Sequence, residues 1–480
     1  PNPQPQFLMI GSIVNHPLFG RGRVVELRNA AREAAVSFDN GIRAVVPASI
    51  LSVLQASNTP TPAPRPITPP RVEVAHTPEQ QQRLAARRSV EALRYGVVPQ
   101  KRIRELSAGL ESERASLHRA FDGVARSGGD VRVILGEYGT GKSHFFELAA
   151  QEALERNFLV ATTSLDVREV PPNRPQRIYN ALVRNLRYPN ASDAGTLTPL
   201  FDRILDNPML HGSLMEELKG TIFASALHNY SLMRAQPGEA LELFLDWISG
   251  EKVYISQVRN ALPIKSKEFP VKALSMMTTS ADQYCYMLSG WGWIAAEAGY
   301  AGLAVLLDES EHYSLLNVRG QERADNFFRG LMYTALSSRP DCKISAEQLA
   351  HHHLRPHEFR FADRSQLLVM FAVTPSASTF DYRRWIDDDG IISLSANMSS
   401  GAADELMVRL SSLHEQAYGG RRGDNHSEIA QGLLECLDGK LINLRQMIRL
   451  AMEIYDLSYA HPDFSPAQAV TELRRVMLGR

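Results

Sequence analysis

The sequence has little cysteine and no long apolar run. Its three cysteines, Cys285, Cys342 and Cys436, lie far apart and form neither a CxxC pair nor a Cys/His spacing. A disulfide framework or a zinc site is therefore not expected, and the reducing cytoplasm is the default compartment. No segment supplies the roughly 18 apolar residues that a membrane span needs. Residues 1–14 also lack the charged start and apolar stretch of a signal peptide, so we expect a soluble, cytoplasmic protein without membrane association.

An excess of charge of either sign is also missing. Lysine and arginine together number 52 against 53 aspartates and glutamates, which gives a formal net charge of -1. Such a balance provides no overall attraction to nucleic acid or to a membrane surface, so a polyanion would have to meet a local basic patch. The chain has 480 residues, of which 44% are hydrophobic, so more than one folded unit is expected.

The clearest boundary in the sequence is the proline-rich stretch ASNTPTPAPRPITPPRVEVAHTPE. Proline and small polar residues exclude a packed core there and favour an extended, semi-rigid tether. The predicted parts are a small β-barrel over residues 1–55, the linker over 56–79, helices over 80–128, an α/β core over 129–400 with a helical insertion at about 175–299, and a helical region over 401–480.

Strands and helices alternate through the predicted core, with apolar runs such as VRVILG, GLAVLLDE and QLLVMFAVTPS. This alternation predicts an α/β fold with a parallel sheet that is covered by helices on both faces. Residues 1–55 show short alternating runs instead, and Asp39-Asn40-Gly41 is a strong hairpin signal. An all-β fold is predicted for that part.

Residues 136–143, GEYGTGKS, match G-x-x-x-x-G-K-[ST] directly after an apolar strand and before a helix. The glycines let the backbone bend around a phosphate chain, so that successive N–H groups face the anion. Lys142 is predicted to reach the β- and γ-phosphates, and the Ser143 hydroxyl to bind Mg²⁺. The predicted ligands are ATP and Mg²⁺, and the predicted nucleotide-binding residues are Gly136, Gly139, Thr140, Gly141, Lys142, Ser143 and His144. The alternative is a chance glycine turn, which would have to lie between an apolar strand and a helix by accident.

A second motif lies in GLAVLLDESEHYSLL. Residues 303–307 form an uninterrupted apolar run, and Asp308 and Glu309 stand at its carboxyl end, where ligands of open α/β sheets bind. Asp308 is predicted to hold Mg²⁺ through water, and Glu309 to orient and polarise the attacking water. Acidic residues after a strand are also common helix N-cap signals, which is the alternative. Glu311 and His312 are interpreted as a polar first helical turn, with tuning of the site as the alternative.

The order of these features resembles that of an AAA+ ATPase, with a Walker A loop, a helical insertion, a Walker B strand, one more strand and a helical lid. Thr374, after QLLVMFAV, resembles a sensor I residue, and a threonine that merely ends a strand is the alternative. Arg445, in INLRQMIRL, resembles a sensor II arginine, and a solvated arginine is the alternative. Arg383 and Arg384 are the candidates for an arginine finger that acts on a neighbouring subunit, although ordinary surface charge is the favoured interpretation.

A narrower resemblance rests on RRSVEALRYGVVP, GEYGTGKSHFFELAAQEALERNF, GLAVLLDESE and LLVMFAVTPS. Together they resemble the ATP-binding proteins of bacteriophage-exclusion (BREX) systems, the BrxD-like family, over about residues 80–460. The resemblance implies a role in prokaryotic antiphage defence and partnership with other defence proteins, such as a helicase or a nuclease, and with double-stranded DNA. We also expect Mg²⁺-dependent ATP hydrolysis in a homo-oligomer, with the nucleotide between subunits.

The N-terminal part departs from that family pattern, which lacks a barrel. Residues 1–55 are similar to small SH3/Tudor-like modules, whose V-x-H-P-x-F-G-x-G core is matched by Val14, His16, Phe19, Gly20 and Gly22. Such modules bind protein or nucleic acid. The sequence leaves open two further functions besides a defence ATPase: an ATP-gated DNA-binding scaffold with little hydrolysis, and an ATPase that acts in transposition or loads replication proteins.

Overall fold

The computed structural model describes residues 12–17, 20–28, 33–38, 43–55, 77–191, 195–274, 280–375, 380–395, 397–419, 426–461 and 463–478. The chain divides into two compact units, Pro1–Thr77 and Pro78–Arg480. No helix in these ranges is both long enough and apolar enough to cross a membrane.

The first unit is an antiparallel five-stranded half-barrel. Its strands are β1 (Ile13–His16), β2 (Gly20–Arg28), β3 (Glu33–Phe38), β4 (Arg43–Pro47) and β5 (Ser52–Gln55), in the sheet order β4-β3-β2-β1-β5. Alternate side chains of β3 are buried, and the ring of His16 packs edge-on against Phe38 at 5.8 Å between centroids. Strands β3 and β4 pair as the predicted hairpin requires, whereas Phe19 and the turn residues 39–41 lie outside the described residues. The likeness to SH3/Tudor-like modules stays a prediction.

The second unit combines one six-stranded sheet with fifteen helices among the residues described. In chain order the elements are α1 (Pro78–Arg94), α2 (Glu111–Ser127), β6 (Gly129–Leu135), α3 (Lys142–Glu155), β7 (Leu159–Ser164), α4 (Pro175–Arg184), β8 (Leu186–Arg187), α5 (Thr198–Leu205), α6 (Pro208–Glu217), α7 (Ile222–Met233), α8 (Glu239–Ile248), α9 (Ile255–Ala261), α10 (Ala281–Glu297), β9 (Leu303–Asp308), α11 (Val318–Leu336), β10 (Leu367–Val373), β11 (Ile391–Ser393), α12 (Ser400–Tyr418), α13 (His426–Asp438), α14 (Leu444–Ala460) and α15 (Pro466–Leu478).

The sheet has the order β11-β6-β10-β9-β7-β8. Five of these strands run parallel, as the alternation of strands and helices predicts. The three central strands, β6, β10 and β9, are buried on both faces. The prediction of a parallel sheet is wrong at one edge, because β8 pairs antiparallel with β7. Strand β8 lies in the predicted helical insertion and is two residues long. It is therefore too short to show an alternating pattern in the sequence.

Apolar side chains cover the two faces of the sheet with different helices. One face packs on α2 and α3, and the other on α4, α10, α11 and the remaining helices of the insertion. In that second layer Tyr284 and Trp291 are buried, and the Trp291 indole N–H donates to the Tyr179 hydroxyl at 2.9 Å. The aromatic residues of α10 therefore belong to the core.

A third hydrophobic cluster joins α1 to the four C-terminal helices. Hydrogen bonds also join α1 to these helices. Arg87 Nε donates to the carbonyl oxygen of Ala417, at the end of α12, at 2.9 Å. Near the other end of α1, Arg94 Nε donates to Asp456 Oδ2 in α14 at 2.8 Å. The first helix of this unit is therefore part of the same layer as its last four.

Candidate nucleotide-binding site

The glycine-rich loop lies between β6 and α3, in the predicted context. Gly139 and Gly141 have φ angles of +83° and +95°, a region that residues with a Cβ rarely adopt. Inside the loop, the Thr140 hydroxyl donates to the carbonyl oxygen of Glu137 at 2.9 Å. The helix α3 begins at Lys142, so its unpaired N–H groups face the loop and favour an anion there.

Gly139 is closely approached by another element as well. A Cβ atom at this position would lie 2.6 Å from Cγ of Asn443, the residue that caps α14. Gly139→Ala should therefore lower the free energy of unfolding by about 1–3 kcal/mol and abolish nucleotide binding, since a left-handed alanine is strained and the clash displaces α14. Urea denaturation and a nucleotide titration would measure the two effects.

Gly212→Ala is the matched control for that substitution. Gly212 lies in α6, and a Cβ there would meet no atom within 4 Å. This change should stabilise the helix by about 0.5–1 kcal/mol and leave nucleotide binding unchanged. Equal effects of the two substitutions on nucleotide binding would contradict a special role of Gly139.

The ammonium group of Lys142 is directed back into the loop. Its Nζ donates to the carbonyl oxygen of Gly136 at 3.0 Å and to the hydroxyl of Thr374 at 2.7 Å, and the Glu137 carbonyl oxygen lies at 3.4 Å. The lysine side chain is only 8% exposed. A buried cation held this way is positioned for an anion that enters the loop, and the phosphate-binding role of Lys142 stays a prediction.

The position of Thr374 follows from the strand order. Strand β10 lies between β6, which carries the loop, and β9, which carries the acidic residues, and it is parallel to both. The carboxyl ends of all three strands therefore meet at one edge of the sheet. Thr374 follows the last residue of β10, so its side chain stands between the loop lysine and the acidic segment.

The acidic pair occupies the end of β9. Asp308 is the last residue of the strand, and one of its oxygens, Oδ1, accepts from the backbone N–H of Glu309 at 2.8 Å. Glu309 has a φ of +55°, an unusual conformation that turns the chain sharply after the strand. The pKa of Glu309 is raised, chiefly by partial burial, and the neighbouring carboxylates of Glu311 and Asp308 raise it further. A carboxylate with a raised pKa is a better proton acceptor.

Glu311 is the residue whose importance the sequence did not reveal. Its Oε1 accepts a close hydrogen bond from the Thr374 hydroxyl and lies 3.8 Å from Lys142 Nζ. Its other oxygen is enclosed and has no hydrogen-bond partner among the described residues. The polar turn predicted for this segment is present, as a 3₁₀ turn over Ser310–Leu315, but Glu311 points from it into the site. His312 in the same turn bonds the Leu165 carbonyl oxygen at 2.6 Å.

A cavity of about 300 Å³ opens beside the loop. Its lining includes the loop residues 138–143 together with Glu309. Apolar side chains from other segments also line it, namely Val97, Val98, Pro99, Leu406, Leu444 and Ile448. The volume and the combination of a phosphate-binding loop with apolar side chains suit a small ligand that has both a flat ring and an anionic tail.

Arg445 crosses the cavity from the C-terminal helical layer. It lies in the first turn of α14, two residues after the capping residue Asn443. Its guanidinium donates to the Tyr138 hydroxyl at 3.3 Å and lies over the Tyr138 ring at 5.6 Å. A Cβ on Gly96 would lie 3.1 Å from the arginine stem, so glycine leaves room for the arginine to pass. The structure therefore brings Arg445 to the loop residue Tyr138, and its role as a sensor II arginine stays a prediction.

His144 lines the cavity, but its ring is engaged elsewhere. Nε2 is 2.8 Å from the Ser107 hydroxyl. Burial lowers the pKa of His144 to about 4, so the ring is neutral near pH 7. A neutral imidazole adds no positive charge for phosphates, and the observed contact joins the start of α3 to the segment before α2.

Ser143 and Asp308 both border a second, more polar groove of about 730 Å³. A hydroxyl and a carboxylate oxygen are the donors that Mg²⁺ prefers, and the ion commonly uses one or two protein ligands together with water and phosphate. No group of three or more His, Cys, Asp or Glu side chains suited to a metal occurs in the part of the chain described. The pair Ser143 and Asp308 fits Mg²⁺ because that ion needs no such cage.

Arg383 and Arg384 are not part of this cavity. They lie in a 3₁₀ turn over Tyr382–Arg384, between β10 and β11, and both are exposed. The guanidinium groups lie over the Tyr382 and Trp385 rings at 5.5 and 4.7 Å. A role on a neighbouring subunit requires such exposure and stays a prediction.

The sequence was compared with known families. Residues 82–211 match the model of the family described as BREX system ATP-binding protein BrxC/D. The resemblance to BREX ATP-binding proteins is confirmed over this segment. The BrxC/D segment begins within α1, includes β6, the glycine-rich loop and β7, and ends within α6. It therefore contains both the loop and residues 97–99, which line the cavity. No curated protein shows significant similarity to the chain.

Proposed function

We propose that this chain is a Mg²⁺-dependent AAA+ ATPase of a BREX-like antiphage defence system. The observation that carries the proposal is the meeting of Lys142, Thr374 and the carboxylates at the end of β9 at one edge of the sheet, beside a cavity bordered by Arg445. The family description of residues 82–211 supports ATP as the nucleotide and BREX as the system.

The residues present support distinct roles around ATP. Backbone N–H groups of the loop and Lys142 would hold the phosphates, and Thr374 would contact the γ-phosphate or the attacking water. Ser143 and Asp308 would hold Mg²⁺, which when bound neutralises phosphate charge. Glu309 lines the cavity beside the loop and has a raised pKa, and it would orient the water and accept its proton. The apolar side chains that line the cavity, from residues 97–99 and α14, would contact the base.

Arg445→Ala should raise the KM for ATP about tenfold, because one charge-assisted contact to phosphate is lost while the loop stays intact. Steady-state ATP hydrolysis over a range of ATP concentrations measures this. Arg475→Ala is the matched control, since Arg475 is exposed on α15 and pairs with Glu472 on the same helix. An unchanged KM for ATP in the Arg445 variant would contradict a contact between Arg445 and the bound nucleotide.

Assembly and partners follow from the same proposal. Nucleotide-dependent assembly into a homo-oligomer would place Arg383 or Arg384 of one subunit against the nucleotide of the next, and the exposure of both residues supports this. The assembly would act on double-stranded DNA or on another defence protein, and the N-terminal half-barrel would bind one of these. The cytoplasm would be the site of action.

The deciding experiment is ATP hydrolysis by the wild-type chain, with and without double-stranded DNA, alongside ATP binding. Turnover that rises with DNA would support an ATPase coupled to DNA. Tight ATP binding without turnover under either condition would overturn the ATPase and favour an ATP-gated scaffold. Failure to bind ATP would overturn both.

A further inference from the structure

We propose that Glu311 competes with the γ-phosphate of ATP for Lys142 and Thr374, and so sets the relative affinities for ATP and ADP. This role rests on the proposed function and assigns a specificity-determining residue within it. Release of Glu311 then becomes the local event that distinguishes bound ATP from bound ADP.

The hydrogen bonds define the competition. The Thr374 hydroxyl has one proton, which it donates to Glu311 Oε1 while it accepts from Lys142 Nζ at 2.7 Å. Lys142 has three protons, and three oxygens surround it, those of Gly136, Glu137 and Thr374. A γ-phosphate can therefore gain the Thr374 proton only if Glu311 gives it up.

The negative charges of Glu311 and the γ-phosphate also oppose binding of both groups beside Lys142 at the same time. Glu311 Oε1 lies 3.8 Å from Lys142 Nζ, and the side chains are only 18% and 8% exposed, so water screens them weakly. The carboxylate is attracted to the lysine but would repel a γ-phosphate at the same place. Its second oxygen is enclosed and lacks a hydrogen-bond partner among the described residues, so the contact is only half satisfied. The attraction to Lys142 therefore lets Glu311 compete with a phosphate, and its incompletely hydrogen-bonded carboxylate can still be displaced.

ADP should meet less of this competition than ATP. The loop N–H groups can hold the β-phosphate while the bond between Thr374 and Glu311 stays intact, because Thr374 belongs to a different segment, directly after the neighbouring strand β10. ATP adds the phosphate that must displace Glu311. The carboxylate thus lowers the affinity for ATP more than the affinity for ADP.

Glu311→Gln tests this role, because glutamine has the same shape and can still accept from Thr374 but carries no charge. The variant should bind a non-hydrolysable ATP analogue about five- to tenfold more tightly, with ADP affinity changed less than about twofold. Isothermal titration calorimetry on the full chain measures both constants. Glu311→Ala removes the competing group entirely and should increase ATP-analogue affinity at least as much.

Glu322→Gln is the control, since Glu322 is exposed on α11 and its substitution should change neither constant. Weaker binding of the ATP analogue to Glu311→Gln, or equal changes for both nucleotides, would overturn the competition. Wild-type protein that binds neither nucleotide would overturn the proposed function, and this role with it. Binding of both nucleotides by the wild type, with no change in Glu311→Gln, would overturn this role alone.

Discussion

Lys142→Ala should reduce ATP hydrolysis by at least about 100-fold, as expected when a preorganised group that stabilises transition-state charge is removed. The lysine is the buried cation of the loop, with Nζ held by Gly136 and Thr374. Its loss leaves the phosphates without their main counter-charge and leaves Thr374 without its donor. We expect weaker ATP binding as well as slower turnover, because the ammonium would contact ground state and transition state alike.

A phosphate-release assay and a nucleotide titration on the same preparations separate those two effects. Lys343→Ala is the matched control, since Lys343 is exposed and pairs with Asp387 on the surface, where an ion pair contributes little to stability. Turnover by the Lys142 variant close to that of the wild type would contradict the assignment of the loop as the catalytic phosphate site.

Glu309→Gln should have an effect of similar size on turnover but a different effect on binding. Loss of the general base should lower the rate of hydrolysis by about 10²–10⁴-fold. ATP should still bind, because the loop, Lys142 and Arg445 are unchanged. Single-turnover hydrolysis together with a binding titration would show a protein that retains ATP without cleaving it.

The pH dependence provides an independent check on Glu309. Burial and the carboxylates of Glu311 and Asp308 raise its pKa, so the deprotonated form that accepts a proton is lost at a higher pH than for an ordinary glutamate. Hydrolysis by the wild type should therefore decline on the acid side above the usual glutamate range. If Glu309→Gln still hydrolysed ATP and Glu311→Gln did not, the general base would be assigned to Glu311 instead.

The order of motifs along the chain predicted much of the observed architecture. The apolar runs before GEYGTGKS and before Asp308 are buried strands, and the proline-rich stretch lies at the boundary between the two units. The pattern also placed Thr374 directly after a strand. It did so because long apolar runs and glycine turns are local signals that tertiary packing seldom overrides.

What the sequence could not predict depends on pairing between distant segments. Strand β8 is too short to show a period, so its antiparallel pairing was missed. Glu311 looked like one more polar residue of a turn, and only the placement of β10 beside β9 brings it against Thr374. The same holds for Gly96, whose missing side chain makes room for Arg445 from the far end of the chain.

Because α1 packs against the C-terminal helices, the protein can complete its folding only late in its synthesis. Arg87 and its partner Ala417 are 330 positions apart, so α1 leaves the ribosome long before α12 exists. Until then the apolar face of α1, with Ala86 and Val90, has no surface to bury it, although both residues are completely buried in the finished structure. Contacts this distant in sequence form slowly and expose the nascent chain to aggregation. A fragment that ends before α12 would keep every residue of the glycine-rich loop and still leave α1 exposed, so it should be poorly soluble.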